Sequence, residues 1–98
     1  MKDHTFHYLK ILRDHRDQLQ KKFPISSLAL FGSVLRDDFN VNSSDIDVLV
    51  EFNGDIGWEF FDLENELSGL MGKKVDLVSK AALKPRFWDY IQKEVCYV

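Results

Sequence analysis

Residues 45–52, Asp-Ile-Asp-Val-Leu-Val-Glu-Phe, alternate with a period of two, and that pattern restricts the chain more than any other. Successive side chains of a strand point to opposite faces. Ile46, Val48, Val50 and Phe52 therefore share one face, and Asp45, Asp47, Leu49 and Glu51 share the other. The first set is a core face. The second carries acids at both ends, which fits an open site above a sheet. Two carboxylates this close repel unless a proton or a cation lies between them.

The flanking segments give the strand its neighbours. Phe6, Leu9, Leu12, Arg16, Leu19 and Phe23 recur at near-helical spacing and predict a helix over 3–22, closed by Pro24. Ser27 to Phe31 is short and apolar and stops at Gly32, as a buried strand before a sharp turn would. Val34 to Asp38 is expected to form a short helix, and Asn40 to Ser44 a loop. Trp58 to Met71 carries an apolar stripe and ends at Gly72, a C-cap residue. Lys74 to Ser79 reads as a third strand, with Val75, Leu77 and Ser79 opposing Lys74, Asp76 and Val78. Pro85 opens a last helix, expected to turn Phe87, Trp88 and Ile91 inward. Trp58, Phe60, Phe61, Phe87 and Trp88 give a large aromatic content, most of it expected in the core, and any that are exposed would mark a partner surface. The order is helix, strand, short helix, strand, helix, strand, helix. This is an α/β (α+β-like) arrangement, a small sheet with flanking helices.

A length of 98 residues fits one domain, 1–98, with no room for a separate acceptor-binding domain. A net charge of −3 argues against long DNA or RNA as partner. Cys96 is the single cysteine, so no internal disulfide can form and the chain reads as intracellular. The N-terminus is too polar for a secretory signal and no apolar run reaches membrane length, so a cytoplasmic location is expected. His4, His7 and His15 lack the partners of a zinc pattern and read as surface or boundary residues.

The chemistry gathers around two motifs. Gly32-Ser33 makes a tight turn able to present backbone N–H groups to phosphate, with Arg36 following. Ser44-Asp45-Ile46-Asp47 opens the alternating strand, and Ser44 can brace the loop before it. Asp76 joins Asp45 and Asp47 if the third strand lies beside the second. Three carboxylates can hold two Mg²⁺ ions about 3.5–4 Å apart, and Mg²⁺ needs few protein ligands because it keeps several waters. Any one of these motifs alone is commonplace; their order along one chain is not.

Taken together, Gly32-Ser33-x-x-Arg36, Ser44-Asp45-Ile46-Asp47-Val48-Leu49-Val50-Glu51-Phe52 and Lys74-Val75-Asp76-Leu77-Val78 resemble the minimal nucleotidyltransferases of the DNA polymerase β superfamily. The resemblance covers nearly the whole chain. It implies a mixed-sheet core, Mg²⁺ on Asp45, Asp47 and Asp76, and the triphosphate on Gly32 and Ser33. Arg36 and Ser44 are further candidates for phosphate on their own chemistry, with a helix-surface salt bridge the competing reading of Arg36 and bracing of the loop that of Ser44. The resemblance implies transfer of a nucleoside monophosphate, AMP from ATP, to a hydroxyl. Small proteins of this kind are encoded beside HEPN-domain toxins as antitoxins, and some adenylylate a toxin tyrosine. The alternative is a nucleotide-binding antitoxin that neutralises its partner by occlusion alone; self-association stays open. Similar sequences often carry Gly after the Arg, whereas here Asp37 and Asp38 follow Arg36.

Overall fold

A computed structural model describes residues 2–98. Helix α1 (Asp3–Lys22) leads into β1 (Ile25–Phe31) and a single turn of 3-10 helix, Gly32–Leu35. Then come β2 (Ile46–Phe52), α2 (Glu59–Met71), β3 (Val75–Ser79), α3 (Pro85–Ile91) and β4 (Val95–Tyr97). The strands form one mixed sheet in the order β3-β2-β1-β4. β1 is antiparallel to both neighbours, and β2 and β3 are parallel across the α2 crossover, the connection that parallel strands require.

The alternation of β2 is realised as it reads. Ile46, Val48 and Val50 are fully buried, and they join Leu28 and Leu30 of β1 and Val75 and Leu77 of β3 in one cluster. Tyr8, Leu9, Leu12 and Leu19 of α1 and Leu63, Leu67 and Met71 of α2 cover that face. Leu49 and its cross-strand partner Ala29 lie on the other face and are buried too, so that face is closed at its centre.

β3 is an edge strand, and unpaired edge groups are a liability. Helix α2 meets two of them. The Val75 N–H donates to Ser68 Oγ at 3.0 Å, and the Leu77 N–H donates to Glu64 Oε2 at 2.9 Å. These bonds tie β3 to α2 and so help set its register on β2. Gly72 ends α2 with φ +67°, as its position predicts.

Several expectations are corrected. The turn after β1 occupies 32–35 rather than 34–38, because Gly32 itself starts it with φ +77°. The apolar end of the chain, read without an element, is strand β4: Phe31 pairs with Val95 and Leu30 with Cys96. Phe6 is exposed, its place on α1 taken by Thr5, whose hydroxyl donates to the Val34 carbonyl at 2.5 Å. Phe87 is 55% exposed, and Trp88 and Ile91 are only half-buried, so α3 turns the expected face inward in part and not at Phe87. Trp58 and Phe61 are exposed as well. They lie at the start of α2, where Trp58 and Phe61 pack on each other rather than on the core.

Candidate active site

Register assembles the site. Val95, Phe31, Asp47 and Asp76 are paired residues across β4, β1, β2 and β3. Paired residues of adjacent strands project to the same face, with strands about 4.8 Å apart. Asp47 and Asp76 therefore stand side by side on the face opposite the core. Asp45 lies two residues before Asp47, just outside the end of β2.

The sequence places a turn against this pair. Gly32 follows Phe31, the cross-strand partner of Asp47. At its positive φ an L side chain is strained, and a Cβ would collide with the Asp47 carboxylate. The backbone of the turn thus reaches the carboxylate because nothing but hydrogen projects from residue 32. Ser33 follows within the same 3-10 turn.

The electrostatics are those of a site that wants a cation. The half-buried Asp47 has its pKa raised, first by burial and then by the negative charges of Asp76 and Asp45. Arg36 counters this in part. The Lys74 ammonium lies 3.8 Å from Asp45 Oδ2 and 3.9 Å from Asp76 Oδ1. Lys74 was not among the candidate site residues read from the sequence. The signal was present, since Lys74 and Asp76 sit two apart on a strand and so share a face. Among the described residues no three carboxylates, histidines or cysteines converge into a ready-made cage. An all-oxygen donor set with excess negative charge, bridged here by an ammonium, is chemically suited to Mg²⁺, which takes few protein ligands.

The remaining predicted residues fall around this centre. Arg36 Nε donates to Asp38 at 3.1 Å and Nη1 to Glu94 at 3.3 Å. Asp38 and then Glu94 hold the guanidinium pKa up. Asp37 pairs with Lys2 at 2.9 Å. The two acids that follow Arg36, the first in place of the expected glycine, are thus each matched by a cation. Ser44 braces the loop: its Oγ accepts the Asn40 N–H at 2.9 Å. Glu51, at the far end of β2, accepts from Ser27 and pairs with Lys80. It belongs to a separate cavity of about 470 Å³ that holds none of the three aspartates. His15 Nδ1 contacts the Ile11 carbonyl and His4 stacks on Phe39, apart from the carboxylates.

A mixed sheet with three helices, a glycine turn and aspartates on adjacent strands defines a nucleotidyltransferase core. Residues 12–98 match the model of the nucleotidyltransferase domain, and the chain belongs to that family. The protein is similar to "Putative protein adenylyltransferase MJ0128" of Methanocaldococcus jannaschii, with 44% identity over 90% of this chain and 91% of that one. It is 36% identical to protein adenylyltransferase MntA of Thermococcus cleftensis, over 90% of this chain and 89% of that one. Among solved structures, one known as "Structure of putative minimal nucleotidyltransferase" superposes with a TM-score of 0.70 at 33% identity, over 89% of this chain and 92% of that one. The fold also matches a chain from the complex of a tri-AMPylated Shewanella oneidensis HEPN toxin with its MNT antitoxin, with a TM-score of 0.59 at 20% identity. That match spans 96% of this chain and 67% of the other. The chain belongs to the minimal nucleotidyltransferases, and the relatives it matches carry the name protein adenylyltransferase. Among the described residues no helix is long and apolar enough to cross a membrane.

Proposed function

We propose that this protein transfers AMP from ATP to a hydroxyl of a partner protein of the HEPN toxin kind, and so acts as the antitoxin of the pair in the cytoplasm. The observation that carries the reading is the register that sets Asp76 beside Asp47, with the Gly32 turn against Asp47 and Lys74 near both Asp45 and Asp76. Asp45, Asp47 and Asp76 would hold Mg²⁺, one ion or two. When bound, the metal neutralises triphosphate charge and lowers the pKa of the attacking hydroxyl.

The chain's own residues do the rest. The backbone at Gly32 and Ser33 receives the triphosphate, close to the carboxylates because residue 32 has no side chain. The acceptor oxygen bonds to the α-phosphorus, the bond to the bridging oxygen breaks, and pyrophosphate leaves. Asp76, on the edge strand β3, takes the hydroxyl proton. Little covalent chemistry falls to the protein; positioning and charge carry the reaction. The names of the relatives, protein adenylyltransferases, support a protein acceptor.

The test is incubation with α-labelled ATP, Mg²⁺ and the co-encoded partner. Label should pass to the partner, and the double variant Asp45→Asn, Asp47→Asn should abolish it. Transfer that survives the double variant overturns the assignment. The exposed Trp58, Phe61, Phe87 and Tyr90 favour a second reading, neutralisation by occlusion. Full neutralisation by the double variant would select it over catalysis.

A further inference from the structure

The Gly32 turn has more than one neighbour. The Asp47 carboxylate is one. Beside the turn is also a cavity of about 220 Å³ lined by Phe31, Gly32, Arg36, Tyr90, Ile91, Lys93 and Glu94. The cavity exists because β4 pairs with β1: Val95 opposite Phe31 brings the residues just before β4 to the carboxylate end of the sheet. None of the three aspartates lines it.

Its chemistry is specific. Tyr90 and Ile91 at the end of α3 give an apolar wall, and Phe31 adds to it. Tyr90 is 79% exposed, an aromatic surface with no covering side chain. The edge is polar and two-signed, with the Arg36–Glu94 ion pair at 3.3 Å offering donors and acceptors together. An aromatic face with hydrogen-bonding groups at the rim suits a flat heteroaromatic ring. The volume falls short of the roughly 300–1,000 Å³ of pockets that enclose a whole drug-sized ligand, so it suits one ring system of a larger molecule whose remainder lies outside.

We propose that this cavity is the nucleobase subsite: a purine of the nucleoside triphosphate lies here with Tyr90 as its stacking platform, while the phosphates cross Gly32 toward Asp47. The assignment rests on the nucleotidyltransferase reading above. It makes Tyr90 a residue that distinguishes a nucleotide from a bare polyphosphate.

Titration calorimetry of the full chain with Mg²⁺ tests it, using ATP in one arm and inorganic tripolyphosphate in the other. The wild type should bind both, ATP more tightly. Tyr90→Ala should weaken ATP roughly tenfold, the usual worth of one base–aromatic stack, and leave tripolyphosphate unchanged. Tyr90→Phe should keep the ATP affinity, because the ring and not the hydroxyl is used. Unchanged ATP affinity in Tyr90→Ala overturns the subsite, as does an equal loss in both arms. Wild-type binding of neither ligand overturns the nucleotidyltransferase reading along with it. Because Tyr90 is exposed, thermal melting of Tyr90→Ala should match the wild type, so a loss of binding reports the site and not the fold.

Discussion

Strand β2 and helix α3 are seven residues each and both are rich in large apolar side chains, yet they meet opposite fates. Ile46, Val48, Leu49 and Val50 of β2 are at most 1% exposed. Nothing in α3 is buried, and Phe87 and Tyr90 stand in solvent. The cause is position. β2 is an inner strand with β1 on one side and β3 on the other, and its core face is covered by two helices. α3 lies outside that core, between two short turns of 3-10 helix. The difference teaches how labour is divided here. Groups that must sit within fractions of an ångström of one another, the carboxylates, are at the end of the strand with the least freedom. The groups available to an outside molecule are on the element with the fewest internal obligations.

The sharpest way to break this comparison is the double variant Asp45→Asn, Asp47→Asn. If β2 holds the chemistry, AMP transfer should fall about a thousandfold, the worth of several kcal/mol of lost charge stabilisation, measured by single-turnover label transfer. Next is Leu30→Ala, which empties a fully buried position at the centre of the sheet. It should cost about 2–5 kcal/mol by denaturant unfolding. Gly32→Ala should cost about 1–3 kcal/mol from the positive φ alone, and it should also push the Asp47 carboxylate aside, so triphosphate affinity falls with stability. At the small end, Phe87→Ala on α3 should change stability by less than about 0.5 kcal/mol, because little is removed from water there that the folded chain had buried. A Phe87→Ala loss comparable to that of Leu30→Ala would erase the contrast between the two elements.

A pH experiment sharpens the contrast within β2 itself. The folded state raises the Asp47 pKa, so the folded protein binds a proton more readily than the unfolded chain does. Stability of the metal-free protein should therefore fall as pH rises from the ordinary carboxylate range near 3.8 through the raised value, and stay lowered above it. Asp47→Asn removes that penalty. The variant should melt higher than wild type at neutral pH without metal, and the difference should close as pH falls below the ordinary carboxylate range. Adding Mg²⁺ should stabilise the wild type and not the variant.

How much of this was legible beforehand varies with the range of the interaction involved. The α1 stripe, the Gly72 cap and the two faces of β2 follow from local periodicity, and the helix and strand appear where the spacing puts them. The acids were legible as candidates for the same reason, since Asp45 and Asp47 are two apart on one strand. Strand β4 was not legible, because three residues, Val95–Tyr97, carry too little alternation to announce a partner strand far back in the chain at Ala29–Phe31. The exposed aromatics were misread because hydrophobicity is a property of the side chain, whereas burial depends on whether another element arrives to cover it.

By itself, then, the order of residues determined the elements, the core face of the sheet and the identity of the acids, through steric and hydrophobic rules that act over a few positions. Only the tertiary structure decided that residue 76 stands in line with residue 47, that Lys74 lies between two of the carboxylates, and that the residues before β4 wall a cavity beside the glycine turn. Those facts depend on strand order and register. Register in turn is set by side chains far apart in the chain, such as Glu64 and Ser68 holding the edge of β3, which no local rule can see.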